Sequence, residues 1–90
     1  MFRMWAKVFK ENRLVKDTVI ENDKTDINRT KKVVDALDSI CYEFDLSTPI
    51  WLDATIKDFQ LHDKTRFNQD NFIEQIDFDF LEIQVIEEDY

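Results

Sequence analysis

The chain has 90 residues, contains no glycine and carries a formal net charge of −8, and this length fits one domain spanning residues 1–90. The acidic balance argues against direct nucleic-acid binding, the lack of glycine excludes phosphate-binding loops and dinucleotide fingerprints, and one His and one Cys exclude a Cys/His zinc site within one chain. The single cysteine also leaves no intramolecular disulfide, and no apolar run approaches the roughly 18 residues of a membrane span, so we expect a cytoplasmic protein that does not bind membranes.

The N-terminal segment predicts a β-hairpin. From Phe2 to Phe9, apolar side chains at even positions alternate with aromatic and basic side chains at odd positions. A period of two is typical of a strand with two different faces. A second β-rich run covers residues 14–21, and the polar residues 10–13 lie between the two runs. In a chain without glycine, Asn12 is the residue best able to take the left-handed conformation that a tight turn requires.

Residues 27–44 predict an amphipathic helix with Asp26 as its N-cap. The apolar residues recur at spacings of three and four, the period of one helix face. They are Val33, Val34, Leu37, Ile40, Cys41 and Phe44. The outer face is expected to carry Lys31, Lys32, Asp35, Asp38 and Glu43. We expect the apolar stripe to pack on the hairpin, because packing contributes more than intrinsic propensity to the stability of such a helix.

Two starts are open for a second helix. Thr48 could cap a helix with Pro49 at its first position, or the chain could run extended up to Asp53 and use that residue as the cap. We favour the Asp53 start, because it gives a short helix through about His62 with an apolar stripe.

The last third predicts one more helix and one more strand. Residues 62–66 form a polar loop, and Asn68 is the expected cap of a short helix. That helix carries Phe72, Ile73 and Ile76. The apolar face switches at Phe80 and Leu81, so we expect a strand over residues 80–87 that pairs with the N-terminal strand. The fold class is then α+β, a three-stranded antiparallel sheet (N-terminal hairpin plus C-terminal strand) with helices packed on one face, in the order ββααβ.

The negative charge is concentrated at the C-terminal end. All twelve Lys and Arg residues lie at or before Arg66. The acids beyond that residue are Asp70, Glu74, Asp77, Asp79, Glu82, Glu87, Glu88 and Asp89. Such an acidic end suits a solvated face, a surface that docks on a basic partner, or a divalent-cation site. A solvated face is favoured, because a cation site also needs a turn that folds the carboxylates around the ion.

Aromatic and basic residues share one face of the first predicted strand, namely Arg3, Trp5, Lys7 and Phe9. If the helices cover only the other face, Trp5 and Phe9 are exposed. Exposed aromatic side chains framed by Arg and Lys are typical of an interface. The alternative is that the third helix or the C-terminal tail covers them.

His62 is the only histidine, and Asp58, four residues earlier, could orient its imidazole as a general base. Lys64 and Arg66 follow closely and could hold an anion. Together His62, Lys64 and Arg66 form a candidate anion site or a small catalytic site. The structural alternative, which we favour, is a histidine at a helix end beside two cations that pair with nearby carboxylates.

Several segments resemble one group of sequences. They are Trp51-Leu52-Asp53, His62-Asp63-Lys64-Thr65-Arg66-Phe67, residues 71–78 and residues 81–89, with a weaker likeness at residues 4–7. On these segments the chain resembles small uncharacterised proteins of clostridia-type (Firmicutes) bacteria, over most of its length. The resemblance implies a free-standing bacterial cytoplasmic domain, and it carries over no activity, cofactor or site residue.

The sequence favours a non-catalytic protein-interaction or regulatory module over an enzyme, because it lacks a catalytic constellation. The expected partner is a protein, either one with a basic surface or a second copy in a homo-dimer, and no cofactor is expected. Two alternatives stay open. One is an acidic inhibitor that imitates nucleic acid, which needs carboxylates spaced like phosphates on one continuous face. The other is an enzyme or anion-binding protein that uses His62.

Overall fold

A computed structural model describes residues 1–88, which fold into an antiparallel sheet of four strands with two α-helices. In chain order the elements are β1 (Phe2–Lys10), β2 (Arg13–Asn22), α1 (Arg29–Glu43), α2 (Asp53–His62), β3 (Lys64–Phe67), a 3-10 turn (Gln69–Asn71) and β4 (Phe80–Glu87). The α+β class is confirmed, and so is the final strand over residues 80–87. The expected sheet of three strands is wrong, because β3 adds a fourth and the order becomes ββααββ.

The additional strand, β3, is most of the segment predicted as a polar loop. Thr65 and Phe67 of β3 are buried, whereas Lys64 and Arg66 are exposed. A strand of four residues shows too little alternation to be distinguished from a polar loop. β3 pairs with β4 and completes the strand order β2-β1-β4-β3. The first and the last strands of the chain therefore lie side by side at the centre of the sheet.

The N-terminal hairpin is confirmed, with its turn at Glu11 and Asn12. The backbone φ is 53° at Glu11 and 64° at Asn12, the two positive values of a type I′ hairpin turn. Asn adopts this left-handed region at a lower cost than Glu does. The backbone N–H of Glu11 donates to Asp79 Oδ2 at 2.8 Å. This hydrogen bond connects the turn to the segment before β4.

The core lies between one face of the sheet and the two helices. Its sheet residues are Phe2, Met4, Ala6, Val8, Phe67, Leu81 and Ile83, and its α1 residues are Val33, Ala36, Leu37, Ile40 and Cys41. Trp51 packs edge-on against Phe59 of α2 and Phe67 of β3, with ring centroids 5.6 and 5.1 Å apart. Burial of these apolar side chains is the main favourable term in folding. It holds both helices on one face of the sheet, and no helix formed by residues 1–88 covers the other face.

Helix α1 differs from its prediction at its start and in its buried stripe. The N-cap is Asn28, whose Oδ1 accepts the Lys31 N–H at 2.8 Å, so Asp26 is not the cap. Lys32, expected on the outer face, is 9% exposed, whereas Val34, expected in the stripe, is 44% exposed. Position 32 lies one turn before the buried position 36, and position 34 faces a groove beside α2. The apolar period predicts the helix but does not determine which residues at the edges of its buried face are buried.

Helix α2 confirms the later of its two expected starts. Its N-cap is Leu52, which makes no capping bond, so Asp53 is the first helical residue and not the cap. Asp63 ends the helix in the left-handed conformation. Asn68 is a cap as predicted, but it caps the 3-10 turn of three residues, and residues 72–76 lie outside any helix.

Replacing Glu11 by Asn is expected to stabilise the hairpin turn. Asn takes positive φ at a lower cost than Glu, and the backbone N–H that binds Asp79 is kept. The free energy of unfolding should therefore rise by about 0.5 to 1 kcal/mol, as measured by urea denaturation. Glu74→Asn, at an exposed position without positive φ, is the matched control and should give no gain. Equal effects at both positions would contradict the role of φ.

Candidate functional site

The sheet has an open face on the side opposite the helices. The pairing register places on it Leu14, Asp17, Val19 and Glu21 of β2, Arg3, Trp5, Lys7 and Phe9 of β1, Phe80, Glu82, Gln84 and Glu87 of β4, and Lys64 and Arg66 of β3. Directly paired residues of antiparallel strands share a face. The side chains of the open face therefore form rows that run across the strands.

The row nearest the hairpin turn is apolar. It consists of Leu14, Phe9 and Phe80. The rings of Phe9 and Phe80 stack with centroids 5.0 Å apart, and Leu14 is 49% exposed. The Arg66 guanidinium carbon lies 4.4 Å from the Phe80 centroid, a cation–π contact. This aromatic strip forms one end of the open face.

The next row alternates in charge, in the order Asp17, Lys7, Glu82 and Arg66. Glu82 Oε2 lies 2.8 Å from Lys7 Nζ, and Glu82 Oε1 accepts from Arg66 Nε at 3.1 Å. The Glu82 side chain is 6% exposed and that of Lys7 is 12% exposed, whereas that of Arg66 is 61% exposed. A buried carboxylate between two cations therefore lies at the centre of the open face.

The pKa of Glu82 lies below its ordinary value. Burial on its own raises this pKa, but the hydrogen bonds from Lys7 and Arg66, together with their positive charges, outweigh burial. Glu82 is therefore ionised at neutral pH, and the charges of this cluster are largely compensated within one chain.

Trp5 lies in the third row, between Val19 and Gln84. Its indole Nε1 donates to Asp17 Oδ2 at 2.9 Å, and the Lys7 ammonium lies 3.8 Å from the ring centroid. Trp5 is half-buried, and Val19 is 44% exposed. Polar and cationic neighbours thus hold the indole on the surface of the sheet.

The residues predicted to form an interface, Arg3, Trp5, Lys7 and Phe9, all lie on the open face, and a role in an interface stays a prediction. Trp5 and Phe9 are half-buried among their neighbours on that face. The β4 side of the cluster, above all Glu82, was not among the predicted residues. The predicted pairing of β4 with β1 is confirmed, but only its register places that carboxylate beside Lys7, and the sequence alone does not give the register.

The residues of the predicted anion site are not brought into one cavity. His62 ends α2, its side chain is 62% exposed, and its Nε2 lies 3.9 Å from Asp58 Oδ1. Lys64 and Arg66 project from β3 onto the open face, where Arg66 binds Glu82. The imidazole therefore lies apart from the open-face cluster, on the element before it.

The C-terminal acids are distributed over several contacts. Glu87 Oε2 lies 3.8 Å from Arg3 Nε, and Glu88 pairs with Arg29. Asp89 lies outside the described residues. Residues 1–88 contain no group of three acidic, His or Cys side chains that could hold a metal ion. The acidic inhibitor, which requires one continuous acidic face, stays a prediction that this placement does not favour.

Comparisons of the chain with known proteins yield no relative. It matches no protein-family model, no curated protein and no solved structure. Within residues 1–88, no helix has the length and apolar character needed to cross a bilayer. The resemblance to small clostridial proteins stays a prediction.

Replacing Glu82 by Gln is expected to destabilise the protein at neutral pH. Gln keeps the shape but removes the charge, so Lys7 loses its buried partner and the free energy of unfolding should fall by about 1 to 3 kcal/mol. The folded pKa of Glu82 is depressed. Its stabilisation is therefore fully present above the unfolded pKa and is lost as pH falls through the folded pKa. The difference between the two proteins should shrink below about pH 4.

Denaturant titrations over a series of pH values measure this difference. Glu74→Gln changes an exposed carboxylate and should stay within about 0.5 kcal/mol of the wild type at every pH. A loss of stability in Glu82→Gln that did not depend on pH would show that altered hydrogen bonding, and not the lost charge, accounts for the effect.

Cys41 is buried in the core, and its thiol is expected to be unreactive in the folded protein. Burial, followed by the charge of Asp38, raises the pKa of Cys41 to about 11. Because the thiolate is the reactive form, the folded protein should react with Ellman's reagent near pH 8 about 100-fold more slowly than the unfolded protein. Absorbance of the released thiol measures both rates. Equal rates would place the thiol at the surface.

Proposed function

We propose that this chain is a non-catalytic interaction module whose partner is a second copy of the same chain, docked through the open face. One observation carries the proposal, the charge order across the sheet. In the row of Asp17, Lys7, Glu82 and Arg66 the signs alternate from β2 to β3. Such a row is complementary to its own copy in reversed order. Self-association is therefore favoured over a partner with a purely basic surface.

The symmetry that satisfies this row is a two-fold axis parallel to the strands and midway between β1 and β4. It sets β1 against β4 of the second copy, so Lys7 faces Glu82. It also sets β2 against β3, so Asp17 faces Arg66. A two-fold axis in the interface plane and perpendicular to the strands would set each strand against itself. Where such an axis crosses the charged row it opposes like charges, and elsewhere it sets that row against a different one. The charge order thus favours one arrangement.

The other rows are consistent with the same axis. Phe9 faces Phe80 of the second copy, which joins the two aromatic strips, and Arg3 faces Glu87. The aromatic strips supply apolar surface to bury, and the charged rows fix the register between the two sheets.

The size of the open face predicts weak association. Its four strands, about 4.8 Å apart and about 26 Å long, cover about 500 Å² per copy, or about 1,000 Å² in total. This area is at the lower limit for a specific interface. Burial of the central charges adds a desolvation cost. We therefore expect a reversible dimer with a dissociation constant in the micromolar range or above.

An enzymatic role for His62 has less support. Its imidazole is 62% exposed, and its described ionic contact is the long one to Asp58. A general base needs a substrate held within hydrogen-bond reach, and an exposed helix end provides no enclosure for one.

Charge exchange between the two copies tests the proposal. Asp17→Arg and Arg66→Glu, each alone, oppose like charges at two places in the symmetric dimer and should weaken self-association by at least about tenfold. An equimolar mixture of the two variants should restore it, because each contact then joins an arginine to an acid. Sedimentation velocity over a concentration series measures all three cases.

The matched controls are Asp58→Arg and Lys57→Glu, which change the charge by the same amounts on α2, away from the open face. Neither control, alone or mixed, should alter the association of the wild type. Arg66→Glu also places a second carboxylate beside Glu82, so melting temperatures must show that each variant is folded. A wild type that stays monomeric at millimolar concentration, or folded variants whose mixture does not associate, would overturn the proposal.

A further inference from the structure

A separate cavity lies at the start of α1, on the helix side of the sheet. Its volume is about 610 Å³, and it is lined by Phe2, Thr25, Ile27, Arg29, Lys32, Asp63 and Glu88. This volume is in the range of small-molecule sites. The lining combines apolar side chains with two cations and two carboxylates, so the distribution of charge decides what the cavity can bind.

Lys32 is the cation whose charge is not compensated. It is 9% exposed, and within residues 1–88 no carboxylate or other acceptor bonds its ammonium. The described residues contain no fully buried side-chain nitrogen without a partner, so this ammonium keeps its hydration through the cavity that Lys32 lines. The ammonium of a mostly buried lysine is only partly hydrated, so it is costly without a counter-charge, and an anion in the cavity would offset that cost.

Arg29, the other cation, is already compensated. Its Nη2 lies 2.6 Å from Asp63 Oδ1, and its Nε donates to Glu88. The pKa of Arg29 is raised, chiefly by the hydrogen bond to Glu88. Both carboxylates are therefore directed to Arg29, and Lys32 is left for another partner. The N-terminus of α1 adds positive potential at the same place.

We propose that this cavity binds a small phosphate monoester. The phosphate group binds Lys32 at the first turn of α1, and the organic group packs on Phe2 and Ile27. A phosphate offers several acceptors to an ammonium and a helix N-terminus. The carboxylates of Asp63 and Glu88 repel additional negative charge, which disfavours polyphosphates. The site is independent of the open face.

Titration with phenyl phosphate, followed by amide chemical shifts and calorimetry, tests this site. Saturable shifts should be confined to Phe2, residues 25–32, Asp63 and Glu88, which include the cavity lining, and inorganic phosphate should bind more weakly because it lacks the apolar contact. Lys32→Met keeps the stem without the charge and should weaken binding by about tenfold or more. Lys31→Met is the matched control, since Lys31 is 60% exposed and pairs with Asp35, and its binding should be unchanged.

A second variant tests the site in the opposite direction. Asp63→Asn suits the left-handed end of α2 and removes one carboxylate from the cavity wall, so it should tighten binding.

The melting temperature of Lys32→Met provides a separate test. This variant loses an uncompensated charge, so its melting temperature without ligand should equal or exceed that of the wild type. Saturating phenyl phosphate should raise the melting temperature of the wild type by about 5 °C and that of Lys32→Met by much less.

Three results would overturn the proposal. Binding that survives Lys32→Met would place the phosphate elsewhere. Tighter binding of inorganic phosphate than of phenyl phosphate would show that the cavity does not select a phosphate monoester. Shifts that spread over exposed lysines without saturation would indicate general attraction of anions.

Discussion

The pairing of β1 with β4 is the constraint on which the rest of the structure depends. β1 is hydrogen-bonded along both edges, to β2 on one side and to β4 on the other. The hairpin forms from neighbouring residues, but only the second pairing places Lys7 beside Glu82 and Phe9 beside Phe80. It also closes the apolar interior, since Leu81 of β4 is fully buried. One set of backbone hydrogen bonds therefore builds both the core and the open face.

Charged side chains are paired differently on the two sides of the sheet. On the open face, acidic and basic side chains alternate, and the buried Glu82 has two cationic partners. On the helix side, Arg29 pairs with two carboxylates, and within residues 1–88 Lys32 pairs with none. The overall charge of −8 therefore says little about any one place on the surface. Whether a charged side chain has a nearby partner of opposite sign indicates more about binding than the net charge does.

The sequence predicts much of this fold because long elements repeat their period several times. The strands over residues 2–10 and 80–87 and the turn at Asn12 follow from alternation and from the left-handed preference of Asn. β3 is too short to show a period. Lys32 is buried and Val34 is exposed, the reverse of the prediction. Both lie at the edges of the apolar stripe, where periodicity alone does not determine which residue is buried. The alternation of residues along β1 places Trp5 on the open face, but the contact of Glu82 with Lys7 depends on the register between β1 and β4.

The central position of β1 also determines the order in which the protein can assemble. Trp5 pairs with Gln84, so these two positions meet only after residues 1–84 have been synthesised. Loop-closure entropy makes such distant contacts slow to form, while the hairpin and α1 can form from local contacts. Until β4 arrives, one edge of β1 presents unpaired backbone groups beside apolar side chains. A nascent or shortened chain is thus open to wrong strand pairing, and the last strand is what protects the first from aggregation.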